Sequence, residues 1–346
     1  MTTIVRRVPG RIAGCLVVVV ALSCLVGAAW AQVPAKTDVE NALAAAHAKY
    51  AGLDEGKNAD YIPALAAVPS TLFGIVVVTV DGQVYGIGDI DRQFSIQSIS
   101  KVFTMAQVLQ ESGEAAIENS VGVDATGRVF NSIEAVEQFK GHEMNAFVNP
   151  GAIATTSMVT GADATAIWAK IIGLYGAFAG RELQVNQEVY DSESATNQRN
   201  QAIGMLMFAY GLIKANPSQA TDLYTRQCSV NVDAKDLATM AATLANGGTN
   251  PVTKTKVIDA RHVPGILAVM ATAGLYDDSG KWLFTTGLPA KSGVGGGIIA
   301  VSPGRFGIAA FSPPLDAAGN SVRAQKAIAD VSSALGGNPY AVTPRQ

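Results

Sequence analysis

The chain has 346 residues, a formal net charge of −3 and only 15% charged residues. That length supports one large domain or two with an ample core. Weak acidity without a basic run excludes the electrostatic footprint of a nucleic-acid binder, and 35 glycines suit tight turns and close backbone approach.

The first stretch reads as a leader. Arg6, Arg7 and Arg11 border an apolar run, Ala13 to Ala29, and Ala29-Trp30-Ala31 has the small-x-small pattern of a cleavage site. The expectation is a signal peptide over 1–31, a mature start at Gln32, and a periplasmic or secreted protein with no stable membrane anchor after cleavage. An uncleaved anchor is the alternative, but the run is at the short end for a bilayer span. Cys15 and Cys24 would leave with the leader, so the mature chain keeps Cys228 alone and can form no internal disulfide.

Thr37 to Tyr50 has the spacing of an amphipathic helix, with Val39, Leu43, Ala46 and Tyr50 on one face. Residues 73–80 and 83–88 read as a hairpin turning at Asp81-Gly82. Helical patterns then dominate, at 99–111, 133–139, 152–176, 195–214, 218–226, 233–246 and 257–273. Gly247-Gly248 is a strong stop, and Pro264 should split or kink the last of these helices. Strands return at 297–301 and 305–311 around Ser302-Pro303-Gly304, followed by a helix over 321–335. The predicted fold is α+β. One antiparallel sheet is built from both ends of the chain and flanked by the terminal helices. A mostly helical second lobe spans about 99–280, within a catalytic domain over 32–336 that precedes a loose tail, 337–346.

Phe94-Ser-Ile-Gln-Ser-Ile-Ser-Lys101 holds the chain's Ser-x-x-Lys spacing, Ser98 and Lys101, where a strand-rich stretch gives way to a helix. Three residues are about one turn, so both side chains share a face. A serine hydroxyl needs a base to become a nucleophile, and a buried lysine can be that base. A solvated helix face is the alternative, but the apolar flanks Phe94, Ile96, Ile99, Val102 and Phe103 predict burial.

Lys291-Ser-Gly-Val-Gly-Gly-Gly297 fits neither a phosphate loop, which ends in Gly-Lys-Ser/Thr, nor a dinucleotide fingerprint, because Ile298 occupies the third glycine position. It reads instead as an edge strand whose backbone lies against a substrate, with Lys291 as a cation beside it. The N–H groups of Val294 and Ser98 can form an oxyanion hole there. Glu193, Asn197, Arg199 and Asn200 cluster in what reads as one helix start, for which capping is the simpler explanation. Asn149 precedes another helix, and Tyr224 and Tyr276 read as helix-end aromatics. His47, His142 and His262 are scattered, which argues against a Ser–His–Asp triad or a zinc site. Cys228 reads as a small buried hydrophobe.

In order and spacing, these blocks resemble the bacterial-type serine-dependent glutaminases. The resemblance runs from about Phe73 to Asn320. It takes in the Ser98 segment, Phe130-Asn-Ser132, Asn149-Pro-Gly-Ala-Ile153, Glu193 with Arg199-Asn200, Tyr224 with Cys228-Ser229, Asp236-Leu-Ala238, Leu244-Ala-Asn-Gly-Gly248, Tyr276-Asp277 with Ser279-Gly280, and Gly287 to Gly297. It implies a β-lactamase/transpeptidase-like fold and hydrolysis of L-glutamine to L-glutamate and ammonia without cofactor or metal. Ser98 would be nucleophile and Lys101 base. Asn149, Glu193, Asn200, Tyr224, Tyr276 and Val294 match positions that line the family's glutamine site. A homo-oligomer, dimer or tetramer, is expected. Pro150, where the family usually has alanine, and the leader are departures. A β-lactamase or penicillin-interacting peptidase on the same scaffold is the alternative enzyme, and a periplasmic amino-acid binder without turnover is the alternative of another class. The chemistry requires the Lys101 amine to fall from ~10.4 toward roughly 7–8, through burial and a neighbouring cation such as Lys291.

Overall fold

The computed structural model describes residues 32–139 and 144–342. The predicted leader, His142 and the last four residues of the predicted tail lie outside the described residues.

The sheet is built as two hairpins that meet in the middle. β1 (Gly74–Thr79) pairs antiparallel with β2 (Val84–Gly88). A small ribbon follows, β3 (Phe94–Ser95) against β4 (Asn231–Val232). Late in the chain come β5 (Ala290–Ser292), β6 (Gly297–Ser302) and β7 (Phe306–Phe311), giving a five-stranded order β2-β1-β7-β6-β5. β1 and β7 lie side by side, with Val77 opposite Ile308, so the two ends of the chain close one sheet.

Alternation explains why the central strands are apolar throughout. Successive side chains point to opposite faces, and both faces are covered. Ile75, Val77, Ile298, Ala300, Ile308 and Ala310 belong to one core, and Val76, Val78, Ile299, Val301, Ala309 and Phe311 to the other.

The helices are α1 (Lys36–Tyr50), α2 (Pro63–Ala66), α3 (Ser100–Ser112), α4 (Glu114–Ser120), α5 (Ile133–Phe139), α6 (Asn149–Met158) and α7 (Ala164–Ala179). They continue with α8 (Gln187–Thr196), α9 (Gln198–Ala209), α10 (Pro217–Cys228), α11 (Ala234–Ala245), α12 (Val263–Ala273), α13 (Ser279–Thr286) and α14 (Val322–Ala334). α1 and α14 cover the first core. α11 crosses the other face and carries the helical lobe. It comes so close that a Cβ on Gly307 of β7 would lie 2.1 Å from the Ala242 nitrogen.

Four expectations differ from the structure. The predicted helix over 152–176 is two, because Asp163 accepts from the Ala166 N–H at 2.8 Å and starts α7 afresh. The helix expected over 195–214 is α9 alone, Gln198–Ala209, and α8, which meets it at Asn197, was not expected. Pro264 sits in the first turn of α12, where no intrahelical N–H is needed, so nothing is kinked. The tail is fixed at its start: Ser302 Oγ donates to the Gly337 carbonyl at 2.8 Å and the Gly337 N–H donates to Ser332. α2, α4 and α13 lacked a periodic signal. Among the described residues no helix is long and apolar enough to cross a membrane.

Candidate active site

Ser98 lies in a short 3-10 turn, Gln97–Ile99, that runs directly into α3. Two features fix this turn. β3 is paired to β4, and Phe94 stacks on Phe311 of the main sheet. From the other side the glycine-rich turn after β5 presses on it: a Cβ on Gly295 would lie 2.6 Å from the Ser95 carbonyl oxygen. The close backbone approach expected of this run toward a substrate is therefore made toward the nucleophile segment itself. Gln97 takes φ +51°, a conformation uncommon outside glycine, immediately before Ser98.

Lys101 is 1% exposed in the first turn of α3. Its amine donates to Asn149 Oδ1 at 2.7 Å and toward the Phe147 carbonyl at 3.4 Å. Burial lowers its pKa to about 8, against the pull of Cys228 and Glu193 in the other direction. Lys291 is also fully buried, and its amine donates to the Gly274 and Ser292 carbonyls at 2.9 and 2.7 Å. Burial, then the charge of Lys101, hold it well below the usual lysine range. The expectation that Lys291 depresses Lys101 differs from this: burial does the lowering at Lys101, and it is the charge of Lys101 that helps lower Lys291.

Asn149 is the first residue of α6, and its amide is a hub. Oδ1 accepts from Lys101 and from the Tyr224 hydroxyl at 3.0 Å, and Nδ2 donates to Asn200 Oδ1 at 3.0 Å. Pro150 is accommodated because the first turn of a helix needs no N–H there. Tyr224, on α10, is pushed well above the ordinary phenol range, chiefly by burial. Tyr276, at φ +52°, rises to about 12 by burial, offset in part by hydrogen bonding with the Ser98 and Ser292 groups. The Tyr276 hydroxyl donates toward the Ser292 carbonyl at 3.5 Å, while the Tyr224 hydroxyl is committed to Asn149.

Glu193 lies mid-helix in α8, where Asn186 is the cap, so it does not cap a helix. It is buried, accepts from Gln97 Nε2 at 3.2 Å, and is raised to about 7 by burial. Asn200 belongs to α9, so the predicted single helix start is two helices whose junction brings Glu193 and Asn200 to one cavity.

That cavity is lined by Ser98, Asn149, Glu193, Asn200, Tyr224 and Val294. Lys101 and Tyr276 stand behind its wall, Lys101 bonded to Asn149 and Tyr276 packed against Phe130, both of which line it. Size alone points elsewhere, since the groove beside α7 holds about 530 Å³ against about 110 Å³ here. Only the smaller cavity gathers a hydroxyl, a shifted carboxylate and a nearby shifted amine. Tyr61, Gln97, Phe130, Asn131 and Arg199 also line it and were not singled out as site residues from the sequence. Gln97 had a signal, a polar residue among buried apolar neighbours; Tyr61, half-exposed beside Pro63, had none. Neither described histidine lines the cavity, and burial lifts the Cys228 thiol to about 12, which leaves it no thiolate at neutral pH. Among the described residues, neither the Ser98 nor the Val294 N–H makes a backbone hydrogen bond.

A sheet closed from both chain ends, with a helical lobe and Ser98 and Lys101 at the junction, defines a β-lactamase-like fold. The glutaminase family model matches residues 56–340, and the chain belongs to that family. It is 54% identical over 285 residues to a glutaminase of Brucella canis, covering 82% of this chain and 90% of the relative. The structure of the probable glutaminase YbaS superposes with a TM-score of 0.88 at 45% identity, covering 89% of this chain and all of the other. That of Mglu in its glutamate form gives 0.84 at 34% identity, over 88% and 70% of the two chains.

Proposed function

We propose that the Ser98 cavity is where this glutaminase hydrolyses L-glutamine to L-glutamate and ammonia, through an acyl-enzyme on Ser98. The observation that carries this reading is Glu193. A site for free glutamine must hold an α-ammonium at the end remote from the reacting amide, and a buried carboxylate shares the cavity with the nucleophile. A β-lactam site has no reason to keep a carboxylate for an ammonium group.

Neutral Lys101 takes the proton of Ser98, whose oxygen attacks the side-chain amide carbon. The Ser98 and Val294 N–H groups receive the oxyanion. As the carbon–nitrogen bond breaks, the Tyr276 phenol passes a proton to the departing nitrogen and regains one from the Lys101 ammonium. Water then attacks the ester, Lys101 again acting as base, and Ser98 is restored. Asn149 holds the Lys101 amine, and Asn200 and Tyr224 hold Asn149. No step calls for a cofactor.

The test is ammonia release from L-glutamine alongside hydrolysis of a chromogenic β-lactam, for wild type and Ser98→Ala. Glutamine turnover that vanishes in the variant supports the reading, and β-lactam turnover without ammonia defeats it.

We also propose export, on the strength of the arginine, apolar and Ala-x-Ala order of residues 1–31. Intact mass of protein from its native host should give a start at or near Gln32, and a cytosolic species retaining 1–31 would defeat that. The domain limits 32–336 and a homo-oligomeric state are part of the same proposal.

A further inference from the structure

Tyr276 is a bulky residue in the left-handed region, with φ +52°. That conformation is a genuine outlier for such a side chain and persists only where its surroundings over-determine it. Packing accounts for the ring. The Lys291 amine lies 4.3 Å from its centroid, Phe130 lies 4.9 Å away, and Val294 and Leu315 share its apolar cluster. Packing of the ring does not set the backbone.

Beside the turn's own bonds, from the Asp278 N–H to the Leu275 carbonyl at 3.1 Å and from the Ser279 N–H to the Tyr276 carbonyl, the backbone is held by one hydroxyl and one carboxamide. Ser279 Oγ accepts from the Leu275 N–H at 3.0 Å and donates to the Tyr276 carbonyl at 2.7 Å, so it grips the chain on both sides of the strained residue. Asn320 Nδ2 donates to the Leu275 carbonyl at 3.3 Å. Both side chains are buried. Ser279 is the first residue of α13, one beyond the N-cap Asp278, and its hydroxyl is turned upstream.

We infer that Ser279, seconded by Asn320, is a positioning residue for the acyl transfer, holding Tyr276 in its left-handed conformation so that the phenol stays at the wall of the Ser98 cavity, beside Phe130 and Val294, which line it. Neither side chain lines the cavity, so neither touches substrate. The inference rests on the reading of Ser98 as nucleophile and Tyr276 as its proton partner. If the grip is lost, Tyr276 relaxes toward the right-handed region, its Cα–Cβ bond swings, and the phenol leaves that wall.

The test is a double-mutant cycle on the full-length enzyme, read by steady-state ammonia release with melting temperature as a fold control. Ser279→Ala should lower kcat by about tenfold and leave KM within about twofold, because the phenol acts on the leaving nitrogen rather than on bound substrate. Ser279→Thr, which keeps the hydroxyl, should retain most of the turnover. In a Tyr276→Phe background the further loss from Ser279→Ala should shrink below about twofold, since the positioned group is already gone. A loss of the same factor in both backgrounds would show a general structural role and overturn the inference, as would an unchanged kcat in Ser279→Ala or in Tyr276→Phe. If Ser279→Ala does not fold, Asn320→Ala takes its place in the same cycle, with the same outcomes decisive. Ser98→Ala separates the layers: ammonia release persisting there defeats the underlying reading, whereas its loss alongside a wild-type Ser279→Ala defeats the positioning role alone.

Discussion

The two faces of the sheet bury their side chains by opposite means. Under α1 and α14 the layer against the sheet is hydrocarbon, with Ile75, Val77, Ile308, Ala327, Ile328 and Val331 in one cluster, and the one buried charge of α14, Arg323, donates to the Leu53, Thr71 and Leu72 carbonyls. Where the helical lobe meets the sheet, the buried layer includes two lysines, a glutamate and two tyrosines. Water-free hydrocarbon contact stabilises the first at about 25 cal/mol per Å². Burying charge costs stability in the second, and each group answers by moving toward its neutral form: Lys101 to about 8, Glu193 up to about 7, Lys291 well down. The two printed shifts act in opposite senses at neutral pH: lowering Lys101 to about 8 makes its neutral amine accessible, while raising Glu193 to about 7 leaves its carboxyl partly protonated. The polar layer is specialised for chemistry, and the apolar layer holds the fold against its cost.

The sharpest test of that division removes the reacting groups. Ser98→Ala should abolish turnover, by a factor of at least roughly a thousand, while leaving melting temperature near wild type. Lys101→Met should be nearly as inactive yet no less stable at pH 7. The sign follows from linkage. The folded pKa lies below the unfolded one, so burying the ammonium costs up to roughly 3 kcal/mol below about pH 8, and that cost fades as pH rises toward 10.5. The variant gains back this cost, less whatever is lost by leaving Asn149 Oδ1 with one donor fewer. A Lys101→Met protein several degrees less stable than wild type at pH 7 would mean that the buried amine holds the lobe together.

Glu193→Gln comes next. Losing one partner of a buried charged contact typically costs ~2–5 kcal/mol, so kcat/KM should fall at least roughly tenfold, mostly through KM. Substrates without the α-ammonium should be poor for wild type and indifferent to the change. Wild-type kinetics in Glu193→Gln would falsify the ammonium assignment.

The pH dependence should be smaller and of fixed sign. Both the Glu193 carboxylate and the neutral Lys101 amine are the deprotonated forms. Activity should therefore climb between about pH 6 and pH 9, with Glu193 titrating near 7 and Lys101 near 8. In Glu193→Gln the limb near 7 should disappear from kcat/KM and the limb near 8 should stay. A profile falling across that range in wild type would reverse the roles assigned to the two groups.

What the sequence could disclose divides along the same line. The hydrocarbon side was legible because alternation and helical spacing report burial directly: β1, β6, β7, α1 and α14 lie where periodicity put them. Ser98 and Lys101 were legible because a turn of helix is local. The rest of the site depends on distances no local pattern records. Nothing in the run from Tyr190 to Asn200 announces that α8 ends at Thr196 and α9 begins at Gln198, yet that break brings Glu193 and Asn200 to one cavity. That burial, and not the charge of Lys291, lowers Lys101 depends on how the lobe packs over it, which spacing does not give. Tyr61 reaches the mouth from a segment with no period at all.

The smallest effect on turnover should come from the apolar side, and it completes the comparison. Ile308 lies in the middle of β7, fully buried between the sheet and the terminal helices, opposite Val77 on one neighbour and Ala300 on the other. Ile308→Ala removes three carbons from a packed layer with no flexible side chain at hand to fill the space, so it should cost about 2–5 kcal/mol of stability. The catalytic groups lie on the other side of the sheet and in the helical lobe, joined to β7 through backbone pairing that alanine leaves intact. At a temperature where the variant remains folded, kcat and KM should both stay within about twofold of wild type. Denaturant unfolding and steady-state kinetics on the same sample decide it. A lowered midpoint with unchanged kinetics assigns stability to one face and chemistry to the other. A rise in KM with unchanged stability would mean that the two layers are mechanically coupled through the sheet, and that the apolar face also shapes the site.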